Sequence, residues 1–386
     1  MDKLLDEHLK SKIIPFWDKQ VDIDFGGYFG YVGLDLSVDK QADKGAVKIT
    51  RLLWAYAALY NQYHESAHLE HARIAYQYLM NFLYDRIDKG VFWKSSFQGR
   101  ILNDTKHLYA QCFAIYGLSE FFKSTGDLQV LASAMEIFRV VEAKAYHPQT
   151  NSYTEQFDRG WTPMDNTLLA ANDILPIYTT NSILHLIEAY TVLYEISGDE
   201  SVQKCLSRLL LLFYDRIYNQ KTQTCSVFFD KNWNSMSDAI SVGHDLEASW
   251  LIDRAIKIVG IDQPNLSVMT EHLCTHAFLN YYENGMVISE INHGIVNDSL
   301  TWWVQAEAII GFYNYYQKSL DERYFTATWD TISVTMSKIV DVRFGSEWFW
   351  AVDRTGTPLR DHGISENWKA NYHNVRMCLE IMKRRN

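Results

Sequence analysis

Proline is scarce in this chain, and so are the features that direct a protein to membranes or nucleic acid. Six prolines in 386 residues leave few points where a helix must break, which suits a mostly helical fold. No apolar run approaches the length of a membrane span. Residues 1–7 are acidic and amphipathic rather than basic and then apolar, so no leader peptide is expected. Basic residues form no block and the net charge is −11, which argues against nucleic acid and anionic membrane surfaces as partners. The five cysteines (Cys112, Cys205, Cys225, Cys274 and Cys378) are scattered and lack metal-ligand spacing. Four sit in apolar helical stretches and Cys225 in a strand-like one. Buried free thiols in a reducing compartment follow, and the expected location is the cytoplasm. There is no glycine-rich phosphate loop and no nucleophile elbow.

What the chain has in quantity is aromatic: 12 Trp and 24 Tyr. Aromatic faces suit sugar rings, and large helical cores use them as well. Short aromatic segments beside Gly, Asn or Asp recur along the chain. They read Phe25-Gly26-Gly27-Tyr28-Phe29, Gly90-Val91-Phe92-Trp93, Asn151-Ser152-Tyr153-Thr154, Cys225-Ser226-Val227-Phe228-Phe229, Gly285-Met286-Val287-Ile288 and Gly345-Ser346-Glu347-Trp348-Phe349-Trp350. Their starts, at 25, 90, 151, 225, 285 and 345, define six divergent copies of a unit of about 60 residues, the mark of a repeat architecture.

Each unit carries two helical patterns. The first follows the aromatic segment, at about 46–64, 106–125, 178–197, 243–259, 300–318 and 367–384. The second closes the unit, at about 67–85, 127–145, 199–217, 264–282 and 321–339, and an N-terminal helix over about 2–18 supplies the twelfth. Ser124-Thr125-Gly126-Asp127 and Ser197-Gly198-Asp199 read as helix-to-helix turns. Six helical hairpins with little strand predict an all-α fold. The expectation is a closed (α/α)6 barrel of twelve helices with short β-hairpin segments at the rim, spanning 1–386 as a single catalytic domain.

In such a ring the first helices form the inner wall and their starts converge on one mouth. Those starts carry Arg51, then His107 and Tyr109, Asn181 and His185, His244 and Glu247, Trp302 and Trp303, and Trp368 and His373. Convergent polar groups in an aromatic-lined cavity make the default site. His244 and Glu247 sit three apart, hence on one helix face, where a carboxylate favours the charged imidazole and can hold one tautomer. His185, His244 and His373 can each take or give a proton near neutral pH, and two facing histidines could pass one across a substrate. Any one alone is more often a satisfied core histidine. Arg51 lies in an otherwise apolar helix and needs an oxygen-rich partner, either a developing oxyanion or a structural carboxylate. Of Trp302 and Trp303, one is expected to stack on a sugar and one to fill the barrel, with Trp303 nearer the cavity. Glu290 and Asp173 are candidate hydroxyl ligands in rim loops. His64, His68 and His71 have a spacing that would permit a metal, but Asn61, Glu65 and Glu70 around them suggest a solvated turn. His272 and His276 fall on an outer helix and read as structural. No metal site is expected.

Several stretches together carry a family likeness. They are Ile13-Ile14-Pro15-Phe16-Trp17, Arg51-Leu52-Leu53-Trp54, Lys106-His107-Leu108-Tyr109, Asn181-Ser182-Ile183-Leu184-His185-Leu186, Gly243-His244-Asp245-Leu246-Glu247-Ala248-Ser249-Trp250, Trp302-Trp303-Val304-Gln305-Ala306-Glu307 and Trp368-Lys369-Ala370-Asn371-Tyr372-His373-Asn374-Val375-Arg376-Met377. With them the chain resembles the N-acylglucosamine 2-epimerase superfamily, and within it the cellobiose 2-epimerases, nearly end to end. The resemblance implies an (α/α)6 barrel that needs no cofactor, neither metal nor nucleotide. It implies inversion at C2 of the reducing-end glucose of a β-1,4-linked disaccharide, cellobiose becoming 4-O-β-D-glucosyl-D-mannose through a cis-enediolate. By the same resemblance His244 and His373 lie on opposite faces of C2, and Glu247 orients and charge-tunes His244. His185 then assists ring opening and Arg51 stabilises the enediolate oxygen. Trp303 and Trp368 hold the sugars, with Tyr109, Asn181 and Glu290 ligating hydroxyls. The chemistry agrees with the residues, since two bases on opposite faces explain inversion without a cofactor.

The chain departs from the family at four places expected near the mouth. Ala370-Asn371 stands for Cys-Pro, Val375 for Gly, Ser289 for Asn, and Tyr178-Thr179-Thr180-Asn181 for Lys-x-Met-Asn. These changes keep open the same scaffold acting on free mannose, as a 2-epimerase or a mannose–fructose isomerase. A glycoside hydrolase on an (α/α)6 barrel would need two carboxylates flanking the bond, and this mouth is histidine-rich with one clear glutamate. A non-catalytic sugar-binding protein would need the aromatics but not two opposed histidines. The expected partner is a small carbohydrate, and the expected assembly a monomer or weak homodimer.

Overall fold

The repeats become helical hairpins because the two helices of each unit are apolar in different ways. In the first helix of the first unit every residue from Ala46 to Leu59 is buried. In a second helix the buried residues form one stripe, as in Val202, Cys205, Leu206, Leu209 and Leu210. A helix buried all round needs neighbours on every side, and a one-faced helix covers it from outside.

The computed structural model describes residues 1–170 and 174–385. The chain opens with α1 (Asp2–His8) and α2 (Ile14–Asp18), joined into one rod by a π-helical turn at Leu9–Ile13. It continues through α3 (Ala46–Tyr63), α4 (Ser66–Tyr78), α5 (Leu108–Thr125), α6 (Leu128–Lys144), α7 (Thr180–Ser197) and α8 (Glu200–Leu212). Then come α9 (Val242–Val259), α10 (Pro264–Tyr281), α11 (Trp302–Ser319), α12 (Glu322–Val334) and α13 (Tyr372–Arg385). The helices α3, α5, α7, α9, α11 and α13 each pack on the next, and α13 returns to α3 to close an inner ring. The second helices and the α1–α2 rod back them. The expected (α/α)6 barrel with short rim hairpins is what the chain forms.

At one end of the ring, inner and outer helices meet in tight turns. Gly126, Gly198 and Gly260 hold left-handed backbone, at φ 66°, 61° and 69°. Asp127 and Asp199 then cap the next helix by accepting from the N–H of Gln129 and Ser201. His64 and Leu320 take the left-handed position in two other repeats.

At the other end, the residues before each inner helix pair with the aromatic hairpin of the following repeat. Lys44–Gly45 pairs with Lys94–Ser95, Lys106–His107 with Gln156–Phe157, and Tyr178–Thr179 with Phe228–Phe229. Ile240–Ser241 pairs with Glu290–Asn292, and Leu300–Thr301 with Ala351–Val352. The sixth junction joins the ends of the chain. Val32 bridges to Ser365, and the buried Lys48 ammonium donates to the carbonyls of Phe29 and Gly30 and to the Ser365 hydroxyl. Buried ion pairs brace the same belt, Lys44–Asp22 at 2.7 Å, Lys106–Asp85 at 3.0 Å and Lys369–Glu347 at 2.6 Å. This belt fixes where the inner helices begin, and so where their first side chains point.

Two expectations need correction. The last inner helix starts at Tyr372 rather than near 367, because Glu366 and Lys369 exchange backbone hydrogen bonds in a turn that the Lys369 ammonium ties to the Ile364 and Trp348 carbonyls. Of the three clustered histidines only His64 is exposed; His68 is buried and His71 stacks on Tyr56 with ring centres 4.6 Å apart. Val375 lies buried in the first turn of α13, off the cavity wall. All five cysteines are buried and unpaired. No helix among the described residues is long and apolar enough to cross a membrane.

Candidate active site

The inner helix starts enclose a cavity of about 260 Å³. All five residues expected to act on substrate, Arg51, His185, His244, Glu247 and His373, line it. So do Tyr109, Asn181, Trp302, Trp303 and Trp368. Glu290 instead sits exposed on a rim strand opposite Ser241, outside the cavity wall. Asp173 lies outside the described residues. Trp350, His362 and Glu366 also face the cavity and were not anticipated.

Each side chain is placed by its local surroundings. His107 caps α5, its Nδ1 accepting from the Tyr109 N–H and its Nε2 meeting Asn166, and this sets Tyr109 at the wall. Burial pushes the His107 pKa down to about 4, so it is a neutral structural ring. Arg51 donates to the Trp368 carbonyl at 2.6 Å and to the Tyr109 hydroxyl at 2.7 Å, with its guanidinium 4.4 Å from the centre of the Phe113 ring. No carboxylate among the described residues bonds it, and its buried Nε has no partner there. A cation so placed favours an oxyanion in the cavity. The Asn181 Oδ1 and Trp302 Nε1 are likewise without protein partners among the described residues, which suits a hydroxyl-rich ligand.

The three histidines differ in their partners. His373 Nδ1 lies 2.7 Å from the Glu307 carboxylate. A carboxylate only accepts, so Nδ1 carries the hydrogen and Nε2 the free lone pair. Burial, then the charges of Arg376 and Arg51, pushes the His373 pKa well below the usual imidazole range, and the ring is a neutral base. His185 repeats the arrangement with Glu188, three residues on, at 2.7 Å. His244 bonds the Ser241 hydroxyl at 2.7 Å and lies beside Trp303, ring centres 4.9 Å apart. Burial and the nearby His185 push its pKa down to about 3.

Glu247 does not hold His244, as its spacing suggested. It accepts from Arg376 at 2.5 Å. Two side chains three apart share a helix face, but His244 Nδ1 is taken by the Ser241 hydroxyl, and Glu247 meets Arg376 of α13 instead. Arg376 is bonded to Glu188, Glu247 and Glu307 together, beneath the cavity. Burial pushes Glu188 upward, but Arg376 and His185 outweigh it and leave its pKa at about 2. Burial and the field of Glu307 push Glu247 up to about 7. Donor atoms of Glu247, Glu307 and His373 lie within 4.8 Å of one another, a spacing that would fit a metal ion, and the Arg376 guanidinium bonded to both carboxylates is the cation there.

Neutral imidazoles around an aromatic-walled cavity, with a guanidinium that lacks an anion, form the equipment of an isomerase that moves protons next to a carbonyl. Comparison with known proteins agrees. Residues 27–376 match the N-acylglucosamine 2-epimerase (GlcNAc 2-epimerase) model, and the chain belongs to that family of carbohydrate epimerases. A cellobiose 2-epimerase of Dictyoglomus turgidum is 38% identical over 380 residues, which cover 98% of this chain and 97% of the relative. The structure of cellobiose 2-epimerase from Bacillus thermoamylovorans superposes with a TM-score of 0.97 at 35% identity, covering all of both chains. A D-mannose isomerase structure, with a TM-score of 0.86 at 18% identity, shares the fold.

Proposed function

We propose that this chain is a cellobiose 2-epimerase, inverting C2 of the reducing-end glucose of β-1,4-linked disaccharides. The observation that carries the reading is the pairing of two neutral imidazoles, His244 and His373, with the anion-free Arg51 at one cavity. The substrate ring opens to an aldehyde, which makes the C2 hydrogen acidic. One imidazole takes that proton through Nε2, and the electron pair of the C–H bond moves into the C1–C2 bond as the carbonyl becomes an enediolate. Arg51 balances the charge on its oxygen. The other imidazole, which takes a proton at Nε2 from solvent once the enediolate has formed, gives it to the opposite face of C2, and the first imidazole releases its proton to solvent. Glu307 stabilises His373 while it is charged; Ser241 holds the His244 ring in orientation. Trp303 and Trp368 supply stacking faces, and Tyr109, Asn181 and Trp302 supply polar atoms for hydroxyls. Five buried, unpaired thiols support a cytoplasmic location.

The test is NMR of the purified protein with cellobiose, and separately with mannose, in deuterated water. Deuterium at C2 of the disaccharide together with a mannose-type reducing end is the expected result. Exchange with mannose alone moves the assignment to a monosaccharide enzyme, and fructose marks an isomerase. Folded protein that exchanges neither sugar sinks the two-histidine mechanism for both.

A further inference from the structure

Arg376 answers three carboxylates with one positive charge, and the answers are unequal. Glu188 accepts from Arg376 Nη1, from the Tyr372 hydroxyl and from His185. Glu307 accepts from Arg376 Nη2 at 2.7 Å, from the Trp250 indole at 2.9 Å and from His373 at 2.7 Å. Glu247 has only a share of Nη2, and no other donor to it is present among the described residues. It is 1% exposed, yet it lines the cavity. An ionised carboxylate with one shared donor in the interior is poorly stabilised, whereas a protonated one needs less and gains a donor of its own. The other charged or titratable groups around it add no further donor: His185 pulls its carboxyl down and Glu188 pushes it up, and burial with Glu307 outweighs the pull. Arg51 of α3 is turned to Tyr109 and Trp368, His185 of α7 is committed to Glu188, and His373 of α13 is committed to Glu307. His244, on Glu247's own helix, is neutral and bonded to Ser241, and Tyr109 of α5 and Tyr372 of α13 are neutral phenols.

We propose that Glu247 is a protonated carboxylic acid in the resting enzyme at neutral pH, and that it is the acid that opens the sugar ring. The inference rests on the epimerase reading for its second half only. The Glu247 O–H bond breaks and its proton goes to the ring oxygen O5. The C1–O5 bond breaks with its electron pair passing to O5, which becomes the C5 hydroxyl. The O1 hydrogen passes to Nε2 of His185, and C1=O1 forms. Ring closure reverses each transfer, so no outside reagent is consumed. While the ring is open, the new Glu247 carboxylate faces Arg376 and the new His185 imidazolium faces Glu188, so both charges arise beside a partner already in place. The upward push on Glu247 from burial and from Glu307 agrees with this assignment.

Infrared difference spectra of wild type against Glu247→Gln, at about pH 6 and about pH 9, read the proton directly. The expected result is a protonated-carboxyl carbonyl band in wild type at the lower pH, absent from the variant and bleached at the higher pH. No band, or a band kept in Glu247→Gln and lost in Glu307→Gln, overturns the proposal. Should Glu247→Gln misfold, the pH titration of the band in wild type and in Glu247→Asp carries the same decision. Ring opening is read as the exchange of magnetisation between the anomers of cellobiose. Glu247→Gln is expected to lose enzyme-driven anomer exchange by about 100-fold, with Glu247→Asp restoring part of it. A variant that keeps anomer exchange and loses only C2 exchange removes Glu247 from ring opening. Wild type that opens the ring without C2 exchange defeats the epimerase reading and leaves this inference standing. Wild type that opens no ring defeats the second half, while the infrared band still decides the first.

Discussion

The two ends of the helical ring are made of different material. At the closed end, inner and outer helices are linked by a left-handed residue and an acidic cap, as in Gly126-Asp127 and Gly198-Asp199, and the surroundings are open: nothing lies within 4 Å of where a Cβ on Gly126, Gly198 or Gly260 would stand. At the mouth, histidines, carboxylates and an arginine are buried and locked to one another. The back end follows from local turn chemistry. The mouth follows from long-range partners, and it holds neutral bases and unpaired donors that do nothing for stability. The ring therefore keeps the cavity-lining groups that act on substrate distinct from the back turns and the rim belt that hold the chain together.

The sharpest way to break that separation is His373→Ala. C2 deuterium exchange is expected to fall about 1,000-fold or more while circular dichroism melting moves little; a variant that loses its fold would show that the mouth carries stability after all. Arg51→Lys should lower kcat/KM about 100-fold, because a point charge cannot keep the Trp368 and Tyr109 bonds and still meet the oxyanion. Within the mouth, Glu307→Gln removes a charged partner of His373 and should cost about 10–100-fold, whereas Ser241→Ala removes a neutral partner of His244 and should cost less than about 10-fold; equal losses would erase the difference between the two bases. At the back end, Leu320 is 74% exposed at φ 57°. Leu320→Gly should raise stability by about 0.5–1 kcal/mol in a urea titration and leave turnover alone. The smallest effect concerns pH. A histidine whose pKa is pushed down stays a free base as the solution is acidified, so C2 exchange at saturating substrate should change less than about twofold between roughly pH 7 and 5.5. A fall centred near an ordinary imidazole pKa would mean that neither base is as buried as it looks.

Much of this was legible in the chain. Helix positions came from apolar periodicity, and the six aromatic segments marked the rim, because both signals are local. The start of α13 differs because the turn at Glu366–Lys369 is stabilised by Ile364 and by Glu347 and Trp348, the last two lying well before the helical pattern. His185 and Glu188 show the same three-residue spacing as His244 and Glu247, and that spacing makes a bonded pair in the first case only. Arg376 bonds Glu188 and Glu247 alike, and the difference is that His244 Nδ1 is taken by the Ser241 hydroxyl. The pairing of His373 with Glu307 joins α13 to α11 and leaves no spacing signal. Glu290 was drawn toward the cavity by its place beside the rim, but its strand pairing with Ser241 leaves it exposed.

One feature of the belt bears on how the molecule comes apart. Each inner helix start is stitched to the hairpin of the next repeat, and the first and last repeats are stitched through Val32, Ser365 and Lys48. Open solenoids fray from their terminal repeats, and their stability is a sum over neighbours. A ring stitched at every junction has no terminal repeat to fray. Losing any one hairpin frees the helix start paired with it and breaks the circle, so partial unfolding has no cheap first step and the whole ring should melt as one cooperative unit.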